Sequence, residues 1–378
     1  MQLEIQYYSP QNEEDHFSPE LGIVVDWMHD RRTAASGSTS SDSSVWGACQ
    51  HNSLEPAHRL GKGRPAWLNA RRRSEPLATF GLKILVLRGG ALGDLILTLP
   101  VLRELRTSFP NSNLELWGIF PQARLAAPEF VHQVERLDAQ DLVPLFVDGP
   151  LPQLVRNKLD GFELAISFLS DPDKVLGRHL AVAGTRRVIA WATRMRPEVH
   201  AVFQLAEVLG EVGLTLRDPI PRLAVGPKPA HSATLGFHVG SGSPQKNWPI
   251  DRWIELIQQL EGVFCDLLLV GGEADGKVVC EFRNRCPVQN LRILLNQDLA
   301  DLGRALNECA VFVGHDTGVT HLAAAVGTPT VALFGPTDAN VWAPLGEHVS
   351  VVRSRDGTMA SIRPEEAAAV VETYRRRV

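Results

Sequence analysis

Three glycine-rich segments carry residues able to bind anions or move protons. The first, Arg88-Gly-Gly-Ala-Leu-Gly-Asp94, joins an apolar run to a stretch with Leu92, Leu95, Ile96, Leu99, Leu102 and Leu105 at helical spacing. Its G-G-x-x-G spacing is not the G-x-G-x-x-G of dinucleotide sites, and no acid ends the next strand near position 118, so nicotinamide binding is excluded. What remains is a tight turn that aims Asp94 beyond the strand end, with Gly90 and Gly93 admitting a substrate close to the backbone. The competing reading makes Asp94 a first-turn acid favoured by the helix dipole.

The second segment is His238-Val-Gly-Ser-Gly-Ser-Pro-Gln-Lys-Asn-Trp-Pro249. Ser241, Gly242 and Ser243 offer backbone N–H groups and hydroxyls, and Lys246 adds a point charge, a combination suited to a phosphate or diphosphate. The G-x-x-x-x-G-K-[ST] spacing is missing, so a phosphoryl-transferring ATPase is not expected. A flexible loop with a solvated lysine is the plainer alternative.

In the third, Gly314-His-Asp-Thr-Gly-Val-Thr-His321, Asp316 or Thr317 can cap the helix that follows, while Gly318 leaves its first N–H groups unobstructed. His321, one turn in, either contacts a phosphate or locks the loop. His315, Asp316 and His321 lack a further carboxylate to complete a ligand set, so no metal is expected. Asp171-Pro-Asp173 mimics a metal-binding D-x-D pair, but Ser170 before it reads as a helix N-cap, and capping is the expected role. Arg353, Arg355, Arg363 and Arg375 to Arg377 read as a solvated face.

The elements that must hold these loops alternate strand and helix from residue 83 onward. Apolar runs at 83–88, 114–118, 134–137, 162–169 and 188–191 predict strands of one unit, with its clearest later helix at 198–212. Runs at 234–239, 266–271, 291–295, 311–314 and 330–334, with helices starting near 249, 274, 299 and 318, predict a second. Short, nearly continuous apolar strands mean parallel sheets covered on both faces. Two such doubly wound domains, joined by a Pro/Gly linker at 225–231, place their strand ends on facing rims of a cleft.

The chain has 378 residues and a net charge of -5, which gives no global field to collect nucleic acid. Five scattered cysteines without a C-x-x-C pair fit a reducing compartment and exclude a disulfide scaffold. The N-terminus lacks a signal-peptide pattern and no apolar run reaches membrane-spanning length, so a cytoplasmic protein is expected. Residues 1–80, with the run Ser-Gly-Ser-Thr-Ser-Ser-Asp-Ser-Ser and no lasting period, read as a mostly disordered extension or a misassigned start, with a short strand possible at 21–27.

The segments 84–100, 240–249 and 316–325 together resemble glycosyltransferase family 9, which includes the ADP-heptose:lipopolysaccharide heptosyltransferases; the resemblance covers about residues 82–376. It implies a GT-B fold, with an acceptor-binding domain at 81–226, a nucleotide-sugar donor domain at 227–361, and a helix at 362–378 crossing back to the first domain. It further implies an inverting, metal-independent glycosyltransferase that needs no cofactor, with an ADP-sugar as co-substrate and a lipid-linked or glycan acceptor at the inner face of the cytoplasmic membrane. Carried over by position, Asp94 is the general base, Lys246 the diphosphate partner, and Asp316, Thr317 and Gly318 the donor-phosphate loop. Either Glu273 or Asp275 binds ribose, and Arg88 matches the basic position before the glycine turn on the acceptor side. A nucleotide-sugar epimerase or a non-catalytic sugar-nucleotide-binding protein on the same fold are the alternatives.

Overall fold

A computed structural model of the chain describes residues 4–8, 81–191, 195–286 and 288–375. Expectations for the rest of the first 80 residues lie outside the described part. The first unit consists of β1 (Glu4–Tyr8), β2 (Lys83–Arg88), α1 (Leu92–Ser108), β3 (Asn113–Gly118), β4 (Gln133–Arg136), α2 (Gln153–Leu159), β5 (Leu164–Ser167), α3 (Val175–Val182), β6 (Arg187–Trp191), α4 (Ala201–Ala206) and α5 (Val208–Glu211). The second consists of β7 (Thr234–Phe237), α6 (Ile250–Gln259), β8 (Asp266–Gly271), α7 (Gly276–Arg285), β9 (Leu291–Leu295), α8 (Leu299–Asn307), β10 (Val311–His315), α9 (Gly318–Ala325), β11 (Thr330–Phe334), α10 (Ala339–Trp342), β12 (Val349–Arg353) and α11 (Pro364–Arg375).

Among the described residues these strands form two six-stranded sheets, ordered β1-β6-β5-β2-β3-β4 and β12-β11-β10-β7-β8-β9. Every recorded pairing is parallel. The central strands β5, β10 and β11 are buried along their whole length, as apolar runs covered by helices on both faces require. From β2 and from β7 onward each sheet starts in the middle, grows outward on one side, then returns and grows on the other, while β1 adds the outer edge beyond β6. The first unit therefore has its switch point between β2 and β5, and the second between β7 and β10. The crevice outside the strand ends at such a point is where ligands bind in open α/β sheets.

α1 is the hinge of the architecture. Leu95 to Leu102 are all buried, and the helix packs on both α4 and α9, so one apolar core runs from Ile84 and Leu99 of the first unit to Leu322 and Ala323 of the second. The two sheets are thus fastened at the starts of α1 and α9, the helices that follow the central strands.

Three features differ from the sequence reading. Glu4–Tyr8 is a parallel edge strand, Glu4 opposite Arg187 and Tyr8 opposite Trp191, inside a stretch expected to be mostly disordered with its possible strand at 21–27. The helix expected at 198–212 divides into α4 and α5, with the His200 side chain capping α4 by accepting the Val202 N–H at 3.2 Å. α11, expected to cross back to the first unit, packs among the described residues on α6 and on β10, β11 and β12 of the second. Its Ala367, Ala368, Val371 and Tyr374 share an apolar cluster with Trp253, Leu256 and Ile257 of α6, so its buried face is matched to the second sheet. Among the described residues no helix is long and apolar enough to cross a membrane.

Candidate functional site

The loops singled out by composition are the loops at the two switch points. Arg88–Asp94 follows β2, the 238–249 loop follows β7, and Gly314–Gly318 spans the end of β10 and the start of α9. The loop after β8, with Glu273 and Asp275, lies beside the second of these.

Asp94 sits in the first turn of α1, its side chain about one-third exposed at 34%. Its Oδ2 accepts the Ala91 N–H at 2.9 Å and its Oδ1 accepts from Arg88 Nη2 at 3.1 Å. Gly90 at φ +93° makes the turn, and a Cβ there would lie 2.6 Å from Asp94 Oδ2, so the tight turn expected from the glycines is what brings the carboxylate to the strand end. Arg88 is 6% exposed, and its guanidinium turns inward to α1; burial lowers its pKa against the opposing pull of Asp94. Gly93 packs against His321, whose Cδ2 would be 3.4 Å from a Cβ at that glycine.

On the facing rim, Lys246 Nζ donates to Asp316 Oδ2 at 2.7 Å, joining the loops after β7 and β10. Ser241 Oγ lies 2.6 Å from both the Ser243 carbonyl and Asn247 Oδ1, and accepts the Ser243 N–H at 3.2 Å, so that hydroxyl closes its own turn. Gly242 is exposed, and a Cβ there would meet no protein atom within 4 Å. Thr317 occupies the N-cap position of α9 in an extended conformation without a side-chain cap bond. Among the described residues no side-chain bond to the first N–H groups of α9 is made, and the helix start can receive an anion.

The two rims touch. A Cβ on Gly318 would fall 2.7 Å from Leu92 Cβ and 3.0 Å from the Gly93 nitrogen, so only glycine allows the start of α9 to abut the start of α1. His321 is 4% exposed between them, with Nε2 4.0 Å from Asp316 Oδ1 and a backbone hydrogen bond at Trp342. Burial lowers its pKa.

Two histidines that the sequence reading did not select as site residues organise the second rim. His315, fully buried, donates from Nδ1 to the Gly240 carbonyl at 3.1 Å and accepts the Trp248 N–H on Nε2 at 2.9 Å. It bolts both ends of the Ser241–Lys246 loop to β10, and burial pushes its pKa down to about 3, which keeps the ring neutral and both bonds made. His238 Nε2 lies 2.9 Å from Asp275 Oδ2, with Nδ1 3.4 Å from Thr317 Oγ1. Burial pushes Asp275 up, but hydrogen bonds from His238 and the Gly272 N–H outweigh it and hold that carboxyl below its ordinary range. The structure thus separates the two candidate acids: Asp275 is buried in this pair, and Glu273 is exposed. A histidine at the end of each central strand was the available signal.

The D-x-D segment lies at the other switch point and caps. Asp171, not Ser170, accepts the Leu176 and Gly177 N–H groups at 3.1 and 2.9 Å, occupying the carboxylate at the start of α3.

Fold and site together define a chain of the GT-B class, with two doubly wound domains meeting at their strand ends. Residues 179–370 match the pattern of glycosyltransferase family 9 (heptosyltransferase), just over half of the 378 residues, and the chain belongs to that family. The Arg88–Asp94 loop lies outside the matched span. The chain is 30% identical over 140 residues to lipooligosaccharide heptosyltransferase 2 of Haemophilus ducreyi, covering 35% of this chain and 40% of that one. It is 30% identical over 162 residues to lipopolysaccharide heptosyltransferase 1 of Pseudomonas aeruginosa, covering 43% of this chain and 41% of that one. The aligned part thus spans about two fifths of the length of these curated relatives. Among solved structures, a family 9 glycosyl transferase from Veillonella parvula superposes with a TM-score of 0.67 at 17% identity, covering 81% of this chain and all of that one. The E. coli ADP-heptose lps heptosyltransferase II superposes at 0.64 and 18%, covering 78% of this chain and 99% of that one. These likenesses carry the fold.

Proposed function

We propose that the chain is an inverting glycosyltransferase that moves heptose from an ADP-activated donor to a lipopolysaccharide-type acceptor at the cytoplasmic face of the membrane. The observation that carries this reading is the abutment of α1 and α9. It sets a one-third-exposed carboxylate on one rim beside an open helix start with a lysine on the other. The relatives' names supply the substrates: heptose, and a lipid-linked saccharide.

In this reading the donor diphosphate lies against Lys246 and the first turn of α9, with Ser241 to Ser243 shaping the wall and Glu273 or Asp275 serving the ribose. Asp94 takes the proton of the acceptor hydroxyl as that oxygen attacks the anomeric carbon; the bond to the diphosphate breaks, and the anomeric centre inverts in one displacement. Charge developing on the leaving ADP is stabilised by Lys246 and the α9 dipole. These two groups do the neutralising, so no metal is assigned a step. Asp316 holds Lys246 in place until the diphosphate shares its ammonium group.

Thermal shift of the purified chain with ADP, UDP, GDP and CDP tests the donor assignment, since a ligand that binds only the folded state raises Tm. ADP alone should give a clear shift. A shift with another nucleotide diphosphate and none with ADP overturns the donor, and absence of transfer from ADP-heptose to a heptose-deficient lipopolysaccharide overturns the activity.

A further inference from the structure

The buried guanidinium of Arg88 is the group that the motif leaves unexplained. A basic residue at the end of β2, beside the glycine turn, reads from sequence as an acceptor contact. The structure points it elsewhere: Nε donates to Thr98 Oγ1 at 2.9 Å, and Nη2 donates to the Asp94 carbonyl at 3.2 Å and to Asp94 Oδ1 at 3.1 Å. Thr98 is completely buried, and its hydroxyl proton is committed to the Asp94 carbonyl at 2.7 Å. Its lone pairs are therefore what Arg88 meets, so that each contact in this ring pairs a donor with an acceptor. The guanidinium carbon lies over the Phe168 ring, 5.7 Å from its centroid. The hollow that Arg88 lines with Gly89 to Ala91 measures about 10 Å³, room for one water and not for a sugar.

We infer that Arg88 is a positioning residue for Asp94 and not an acceptor contact: braced by Thr98, it grips the carbonyl and one carboxylate oxygen of Asp94 and fixes the other oxygen towards the cleft. This rests on the general-base reading of Asp94. The grip has two hydrogen bonds to Asp94 from Nη2 and one to Thr98 from Nε, spread over two nitrogens of a planar fork as the single nitrogen of an ammonium cannot spread them. Oδ2, which among the described residues accepts from the Ala91 N–H alone, keeps a lone pair for the acceptor proton.

Two roles for Arg88 separate in steady-state kinetics. An acceptor contact, when lost, raises acceptor KM; a positioning group, when lost, lowers kcat with acceptor KM little changed. The test uses the full chain with ADP-heptose and acceptor, comparing Arg88→Lys, Thr98→Val and Thr98→Ser. Arg88→Lys should lower kcat by about tenfold to a hundredfold, the scale of a misplaced reacting group, with acceptor KM and ADP affinity within about threefold. Thr98, too deep to touch any acceptor, should show the same split: Thr98→Val lowers kcat by at least about threefold and Thr98→Ser restores it. A rise in acceptor KM of about tenfold or more with kcat unchanged in Arg88→Lys overturns the inference, as does wild-type kcat in Thr98→Val. If Arg88→Lys does not fold, the Thr98 pair decides. Absence of transfer by the wild-type chain is instead a failure of the proposed activity.

Discussion

Lys246 and Asp316, 70 residues apart in sequence, meet at 2.7 Å at the start of α9 with both side chains largely buried. The pair ties the loop after β7 to the start of that helix, and on the proposed function an arriving diphosphate meets an ion pair already made.

Replacing Lys246 with Ala should weaken donor binding and turnover together. The substitution removes the cation and leaves the Asp316 carboxylate unopposed beside the anion site, so both attraction and repulsion change in the same direction. A loss of about 2 to 4 kcal/mol in transition-state stabilisation is expected, the scale for removing one charged partner from a water-poor site. ADP affinity by calorimetry checks it, and an unchanged Kd would remove Lys246 from the donor site.

Stability should fall in mild acid. His315 is held neutral down to about 3 and His200, whose Nε2 donates to the Ala343 carbonyl at 2.7 Å, down to about 4, in both cases chiefly by burial. An unfolded histidine takes up a proton near pH 6.5, so between about 6.5 and 4 the unfolded state binds protons that the folded state refuses. Stability is then full above that range and declines as pH drops, by up to about 1.4 kcal/mol per pH unit for each ring. Urea unfolding should give at least about 2 kcal/mol less at pH 5 than at pH 7.5. Equal values would show that these rings protonate in place.

Removing residues 1–80 should cost stability, because Glu4–Tyr8 completes the edge of the first sheet on β6. The truncated chain exposes the unpaired side of β6, a template for association. A Tm drop of at least about 2 °C, with concentration-dependent oligomers on gel filtration, is expected. An unchanged Tm and a single species would show that the strand contributes nothing.

Much of this site was legible because chemistry and topology put the same constraint on sequence. An apolar run must end where the ligand begins, so β2, β7 and β10 announced the loops that follow them, and glycine marked the turn at Gly90, with φ +93°, and the close approach of two backbones at Gly318. What escaped depends on contacts across long separations. His238 and His315 lie inside the loop sequences, but their partners Asp275, Gly240 and Trp248 are fixed only once the sheet order is known. β12 is a short run ending in Arg353 at a sheet edge, with weak periodicity to mark it. The side to which α11 docks was implied by resemblance alone, and its Ala367, Ala368, Val371 and Tyr374 face fits α6 instead.

The most direct measurement is kcat for Asp94→Asn, taken with ADP affinity and Tm on the same variant. Asn keeps an acceptor for the Ala91 N–H but turns an NH₂ towards Arg88, so a stability loss of about 1 to 2 kcal/mol is expected whatever the function. As the general base, its loss should lower kcat by about 10²- to 10⁴-fold, while ADP, held on the opposite rim, binds within about threefold of wild type. Transfer within about tenfold of wild type by a folded, ADP-binding variant would contradict the account and leave Asp94 as the cap of α1 alone.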